Sequence, residues 1–277
     1  MRRSLSVLLV LSAQLGNVVR CQAAAPKRPS EAPALREEAG PVEILRLLYG
    51  NYDSARHAAI AEPGEPGEPA GPGRSADEAT LPVIATVEGL YRYPPATPDH
   101  LLAIVAENPE GADSHGQSPG IAGALFEKVP GGWHLRARNP SITEMGSYGA
   151  APEGTLVQLG PSRWGVRYEP GFTNMGESTV GLTLLAPVGE SIVEVLALGE
   201  LESENSGGCD EAEKNCYEFK SQVTFERGGN PDWFDVVVVT SGSRLNDEMT
   251  VETFRETHRY TFSGSVYQEA ASAAARR

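Results

Sequence analysis

Residues 121–186 most constrain the fold, because short apolar runs recur there and Gly or Pro interrupts them at close intervals. This pattern is typical of antiparallel strands joined by tight turns. Gly131-Gly132 separates two such runs, and glycine tolerates the positive φ that a tight turn requires. The 30 glycines and 21 prolines agree with a turn-rich β protein. We therefore predict an antiparallel β domain over residues 81–268, a meander that forms a sandwich or an open barrel.

The later part of this domain contains three further strand signals. The largely apolar run at 191–201 predicts a strand covered on both faces. Residues 217–226 and 253–266 alternate apolar with polar residues, which predicts one face in the core and one in solvent. Four consecutive valines within 233–240 indicate a central strand. Fixed-period repeats and alternating βαβ units are missing from the sequence, which argues against solenoid, propeller, Rossmann and TIM-barrel folds.

Upstream of the strands, the sequence predicts one helix and two irregular segments. Residues 41–60 begin with Pro41, which suits a first helical turn, and are assigned to an amphipathic helix. Its apolar residues recur at helical spacing: Val42, Leu45, Leu48, Tyr49 and Tyr52. Residues 24–40 and 61–80 are rich in Pro, Ala, Gly and Glu, and we expect a disordered start and a linker. Residues 269–277 are predicted to be a frayed tail. Whether the helix docks on the β domain is left open.

Residues 1–23 are predicted to be a signal peptide. Arg2 and Arg3 precede a short apolar run, and small residues follow at 23–25. That run is too short to span a bilayer, and no later run reaches the ~20 apolar residues that spanning requires. We therefore expect an exported, soluble protein, periplasmic or extracellular, without a transmembrane segment. The alternative is a lipoprotein anchored through Cys21, but the charged Arg20 before it does not resemble the small-residue context of a lipobox.

The charge of the chain bears on its partners. The formal net charge is −14, and removal of the signal peptide makes it more negative because that segment contains arginines and no acids. Such a surface repels nucleic acid and anionic lipid headgroups, so no nucleic-acid partner is expected. A cationic protein or a cell-envelope component would be attracted, although strong negative charge also simply keeps exported proteins in solution.

Two cysteines remain after export, Cys209 and Cys216. In an oxidising compartment, two thiols this close in sequence are expected to form a disulfide bond. Closing so small a loop stabilises the fold by roughly 2 to 3 kcal/mol. A redox-active pair would more usually be CxxC, and a zinc site would need further Cys or His ligands, so we predict a structural bond.

No motif in the sequence specifies a reaction. The G-x-S-x-G elbow and HExxH are absent, and no cofactor is indicated. The polar loop at 108–120 holds side chains that hydrolases use: Asp113, Ser114, His115 and Ser118. Neighbourhood in sequence does not place a serine within reach of a histidine, so the loop carries little weight by itself. On the last strand, His258 alternates onto the apolar face, where we expect a core or interface histidine.

Two sets of residues are candidate ligand sites. An anionic or aromatic ligand could bind where arginines accompany tryptophan: Arg136, Arg138, Arg163, Trp164 and Arg167. This interpretation assumes that Arg136 and Arg138 share one strand face; surface arginines that pair with surplus acids are the alternative. Calcium could bind oxygen donors on an acidic loop: Glu202, Glu204 and Asp210. The order of an EF-hand is missing, and a solvated acidic loop is the alternative.

These observations favour a non-catalytic binding or envelope-associated protein. The alternatives are an exported hydrolase with an active site built from loops, and an acidic inhibitor of a cationic envelope-degrading enzyme. A hydrolase should gather a base, a nucleophile and charged stabilisers in one pocket, whereas a binding protein should show an apolar patch or a charged groove without them.

Overall fold

Strands dominate the structure, a computed structural model that describes residues 35–36, 38–61, 82–111, 114–210 and 215–270. These residues belong to one compact unit and form one helix and two antiparallel sheets. The mainly β, antiparallel fold with a helix near its start is therefore as predicted. The predicted signal peptide, residues 24–34 and 37 of the predicted disordered start, and all but Ala61 of the linker lie outside the described residues.

The first sheet carries the helix. Its strands are β1 Leu35–Arg36, β2 Tyr52–Asp53, β3 Ala58–Ala61, β4 Val83–Tyr93, β5 His100–Pro109, β6 Gly120–Val129 and β7 Gly132–Glu144. They lie in the order β1-β7-β6-β5-β4-β3-β2. Helix α1, Pro41–Tyr49, buries Ile44, Leu45 and Leu48 against this sheet, in one cluster with Phe126 and Trp133. The helix therefore docks on the β domain through its apolar face.

The second sheet curls into a half-barrel. Its strands are β8 Gly154–Gln158, β9 Trp164–Tyr168, β10 Gly171–Asn174, β11 Glu177–Val188, β12 Ser191–Glu204, β13 Glu218–Arg227, β14 Phe234–Leu245, β15 Val251–Ser263 and β16 Val266–Glu269. The order is β16-β15-β14-β13-β12-β11-β9-β8, with β10 also paired to β11. Although four positions separate them, β16 contacts β12 across the interior of the curl.

Two apolar clusters hold the sheets in place. The first lies between the sheets and joins Ile104 and Ile121 of the first sheet to Leu185 and Ile192 of the second. The second fills one end of the curl, where the rings of Trp233 and Phe262 stack with their centroids 3.9 Å apart.

The N-terminal part differs from the predicted helix and linker. Helix α1 ends at Tyr49, because Gly50 adopts a left-handed φ of 80° that breaks the helical path. Tyr52, which was predicted on the helix face, lies in β2, and β3 pairs with β4. The β region therefore begins before residue 81. At the other end, β16 extends to Glu269, the first residue of the predicted tail.

The strand predicted at 191–201 is present but is not covered on both faces. Ile192 and Val195 are buried, whereas Ala197, Gly199 and Glu200 are exposed. The reason is that β12 pairs with β13 over only three residues, 202–204, so among the described residues no strand pairs with that edge of the preceding part of β12. The other predictions hold more closely: Gly131 turns the chain between β6 and β7 with φ of 87°, and the valine-rich strand β14 lies between β13 and β15.

A buried polar contact ties the helix to the first sheet. The hydroxyl of Tyr49 donates a hydrogen bond to Glu107, which is 1% exposed, and the Arg138 guanidinium lies 5.2 Å from the Tyr49 ring centroid. Burial, followed by the charge of Glu107, raises the pKa of the Tyr49 hydroxyl.

We expect Tyr49→Phe to lower the free energy of unfolding by about 1 to 2 kcal/mol, because it removes one donor from a buried carboxylate. Urea unfolding followed by circular dichroism measures the change. Tyr52→Phe is the matched control: Tyr52 is half-buried and contacts Arg46 through its ring, so a loss below about 0.5 kcal/mol is expected. Equal losses in the two variants would contradict a specific role for the Tyr49 hydroxyl.

Candidate functional site

A groove of about 600 Å³ opens on the concave face of the second sheet. We call it the sheet groove. Strands β11 to β15 supply its lining, which combines aromatic rings with charged and polar side chains. Its aromatic members are Tyr217, Phe219, Phe254 and Tyr260, and its titratable members also include Glu177, Glu200, Arg244, Glu256 and His258.

Strand geometry explains why the groove is there. Since β12 and β13 pair only near residues 202–204, the two strands separate beyond this contact. On the other side, Gly242 lies opposite both Phe219 and Phe254. It has φ of 149° and no side chain, so the two phenyl rings meet edge to face above it, with centroids 5.6 Å apart. The rings form an apolar floor.

The cationic side chains of the groove are held by carboxylates. Arg244 donates to Glu252 at 3.1 Å and lies 2.9 Å from Glu256, and its guanidinium is 4.4 Å from the Phe254 ring centroid. The hydrogen bond to Glu252 is the main cause of the raised pKa of Arg244. His258 places Nδ1 2.6 Å from Glu269, and this hydrogen bond raises the pKa of the imidazole.

The opposite wall of the groove is acidic. The Tyr217 hydroxyl donates to Glu177 at 2.6 Å, and burial, followed by this bond, raises the pKa of the tyrosine. Glu200 is exposed and makes no hydrogen bond or ion pair within the part of the chain that the structure describes. The lining therefore contains three carboxylates and one guanidinium, so the groove is net negative when His258 is neutral.

The disulfide bond is next in sequence to Tyr217, a residue of the groove lining. Cys209 and Cys216 are bonded, as their spacing predicts. Asn205, which precedes the closed loop, donates from its side chain to the Asn215 carbonyl within the loop at 2.9 Å and accepts from the Tyr217 amide at 2.8 Å. The loop therefore fixes the backbone of Tyr217 next to the groove.

The structure does not bring the five residues of the predicted arginine–tryptophan patch together. On β7, Arg136 pairs with Glu127 at 3.2 Å, whereas Arg138 lies over the Tyr49 ring on the helix side of the sheet. Arg167 forms an ion pair with Glu169. These three arginines occupy separate surroundings.

A β-bulge separates Arg136 from Arg138. Leu125 lies opposite Ala137 but Phe126 lies opposite Leu135, so Arg136 is an extra residue in β7. An extra residue reverses the alternation of faces, and the two arginines consequently do not share one face. The sequence interpretation assumed regular alternation and missed this.

The remaining two patch residues do lie together. Arg163 and Trp164 line a second cleft of about 380 Å³ with Tyr93 and His100. The rings of Tyr93 and His100 stack with centroids 5.1 Å apart, and Trp164 lies 6.4 Å from Tyr93. The Arg163 guanidinium is 5.7 Å from the Trp233 ring centroid.

The predicted calcium ligands are not on one loop. Glu202 and Glu204 lie in β12, and Asp210 lies in the disulfide loop. Among the residues that the structure describes, no group of three or more His, Cys, Asp or Glu side chains is placed to hold a metal ion.

The loop considered for hydrolysis does not assemble a catalytic group from its described residues. The Ser118 hydroxyl donates to the Gly146 carbonyl at 2.7 Å. The His115 ring contacts Tyr148 and Phe172, each at a centroid distance of 5.0 Å. No hydrogen bond joins His115 to Ser114 or Ser118 in the described structure, and Asp113 lies outside it.

Sequence reasoning missed the groove because its residues looked like core. Phe254 and Tyr260 were taken for a buried face, and His258 for a core or interface histidine. In the structure the His258 side chain is 39% exposed and lines the groove. The sequence does contain a signal for the groove. Glu256 and His258 interrupt an otherwise apolar face of β15, and polar residues at these positions favour a solvent-accessible surface over a core.

Comparison with protein-family models, curated proteins and solved structures finds no match for this chain. Within the described residues, no helix is long and apolar enough to cross a membrane.

Proposed function

We propose that this is an exported, non-catalytic binding protein whose sheet groove accepts a ligand that carries both a cation and apolar groups. One observation carries the proposal: the groove sets an aromatic floor, Phe219 and Phe254, inside a lining with three carboxylates and one guanidinium. Its volume of about 600 Å³ lies within the range of ligand sites, roughly 300 to 1,000 Å³.

The chemistry of the groove suits a cation. Aromatic faces attract cations, and the effect grows when the cation loses water. Glu200 is an exposed carboxylate without a partner among the described residues, and it is the group with which we expect an incoming ammonium or guanidinium to pair. The rings of Phe219 and Phe254 would cover the apolar part of the same ligand.

Apart from Glu200, the charged groups and the Tyr217 hydroxyl of the groove are held by hydrogen bonds or ion pairs, which favours binding over catalysis. Tyr217 donates to Glu177, and Arg244 and His258 are both held by carboxylates. A hydrolytic site would instead bring a nucleophile within reach of a general base. Export is supported by the disulfide bond, since such bonds persist in oxidising compartments.

Calorimetric titration with a capped tetrapeptide of alternating lysine and leucine tests the proposal. We expect Glu200→Gln to weaken binding about two- to fivefold, the worth of one partly exposed ion pair. Added salt should weaken binding to the wild-type protein by screening the same attraction.

The matched control is Glu190→Gln, which makes the same change in net charge at an exposed acid outside the groove lining, and its affinity should equal that of the wild type. The proposal fails if the wild-type protein does not bind the tetrapeptide. It also fails if the two variants weaken binding equally, or if a glutamine–leucine tetrapeptide binds as well as the cationic one.

A further inference from the structure

A row of directly paired residues crosses six strands of the second sheet and leads out of the sheet groove. Strand register gives the row in order as Phe172, Thr179, Ser203, Phe219, Gly242 and Phe254. Residues directly opposite one another on antiparallel strands point to the same face of the sheet. Phe172 on β10 therefore lies on the same face as the aromatic floor of the groove.

The part of the row between the groove and Phe172 is also aromatic and acidic. The Tyr217 hydroxyl lies 3.5 Å from the hydroxyl of Ser203, which is 3% exposed, and it donates to Glu177. Glu177 pairs with Asn174, two residues beyond Phe172 on β10, so its side chain belongs to the same face. The surface between Phe172 and Phe219 is thus made by Tyr217 and the Glu177 carboxylate.

Beyond Phe172 the apolar surface continues onto the loops. Phe172 is 47% exposed and Tyr148 is 59% exposed, and the ring of His115 lies between them and contacts both. Tyr148 has a φ of 52°, a left-handed conformation that costs a non-glycine residue about 1 kcal/mol or more. The fold therefore keeps two large apolar rings in solvent, one of them on a strained turn, at the Phe172 end of the row.

The dimensions of this surface decide the shape of the ligand. Five strand spacings separate Phe172 from Phe254, and at about 4.8 Å each they span roughly 24 Å. An extended polypeptide advances about 3.3 Å per residue, so some seven residues would cover the row. A compact small molecule in the sheet groove would leave Phe172 and Tyr148 uncovered.

We propose that the partner is an extended polypeptide segment of about seven or more residues, with lysine or arginine side chains among apolar ones, that lies across the strands from Phe254 to Phe172. This inference rests on the proposed function, because the sheet groove supplies one half of this surface, which we call the track. A cationic segment is complementary to Glu177, Glu200 and Glu256 along the track, and to a chain whose formal charge is −14. A second copy of this chain would bring the same negative charge.

The test compares two capped peptides of alternating lysine and leucine, four and eight residues long, in calorimetric titrations. We expect the longer peptide to bind at least tenfold more tightly to the wild-type protein. Phe172→Ala should weaken the longer peptide about five- to tenfold and leave the shorter one within about twofold, because only the longer peptide reaches Phe172. Leu47→Ala is the control, since Leu47 is a 40% exposed apolar residue on helix α1.

The outcomes separate the two proposals. If the short peptide binds with the expected dependence on Glu200 but Phe172→Ala changes neither affinity, the groove proposal stands and the extended track is wrong. If the longer peptide binds no more tightly than the shorter one, the track is also wrong.

A neutral linear glycan that binds with dependence on Phe172, where the eight-residue peptide does not bind, would overturn the assignment to a polypeptide. Equal loss for both peptides in Phe172→Ala would also contradict the inference.

Discussion

Replacing Arg259 by glutamine is expected to lower the free energy of unfolding by about 3 kcal/mol, a reduction in Tm of roughly 6 to 12 °C for a domain of this size. The Arg259 guanidinium donates to Asp235 at 3.0 Å and to Glu226 at 2.8 Å. The Asp235 side chain is only 6% exposed, so the variant leaves a carboxylate in the sheet without its cation. That uncompensated charge, more than the lost attraction, produces the large effect.

Two further variants isolate the cause. Arg255→Gln is the control. Arg255 is an exposed arginine on the same strand, β15, and has no ion-pair partner among the described residues, so a change below about 0.5 kcal/mol in the free energy of unfolding is expected. The double variant Asp235→Asn, Arg259→Gln removes both charges and should recover a substantial part of the stability lost in Arg259→Gln. Urea unfolding of these four proteins and of the single variant Asp235→Asn measures the coupling, and strictly additive losses would show that the pair is not the source.

The sequence predicted the elements of the fold because local signals and tertiary structure agree there. The valine-rich β14 lies between two strands of its sheet, and Gly131 turns the chain with a positive φ that glycine permits. The helix was predicted too long since Tyr52 extended the apolar period by chance, while Gly50 ends the helix. The spacing of apolar residues does not report where a single residue, here Gly50, adopts a backbone conformation that ends the helix.

The site was harder to predict because it depends on how strands pair. Arg136 and Arg138 alternate regularly in sequence, and only the bulge in β7 separates their faces. Phe172, Phe219 and Phe254 are far apart along the chain, and their common row exists only through the register of six strands. No pattern within one segment specifies register between distant strands, so neither the groove nor its extension could be derived from composition or spacing.

The double variant Cys209→Ser, Cys216→Ser is expected to lose about 2 to 3 kcal/mol of stability, because the unfolded chain gains the freedom of an opened loop. It should also weaken binding of the lysine–leucine tetrapeptide severalfold. The closed loop positions Asn205, whose side chain holds the Tyr217 amide, and Tyr217 in turn contacts Glu177 in the sheet groove. Loss of the bond therefore affects the acidic wall of the groove as well as the fold.

Treatment with a reductant separates the effect of losing the disulfide bond from the other effects of replacing the two cysteines. Wild-type protein unfolded in urea with reductant should match the double variant, and the double variant should not respond to reductant. Tyr217→Phe, which keeps the disulfide bond but removes the hydrogen bond to Glu177, should weaken tetrapeptide binding with a smaller loss of stability, about 1 kcal/mol. If reductant changes neither the stability nor the peptide affinity of the wild-type protein, the bond does not support the groove. The position of Tyr217 would then have to be fixed by its hydrogen bonds to Asn205 alone.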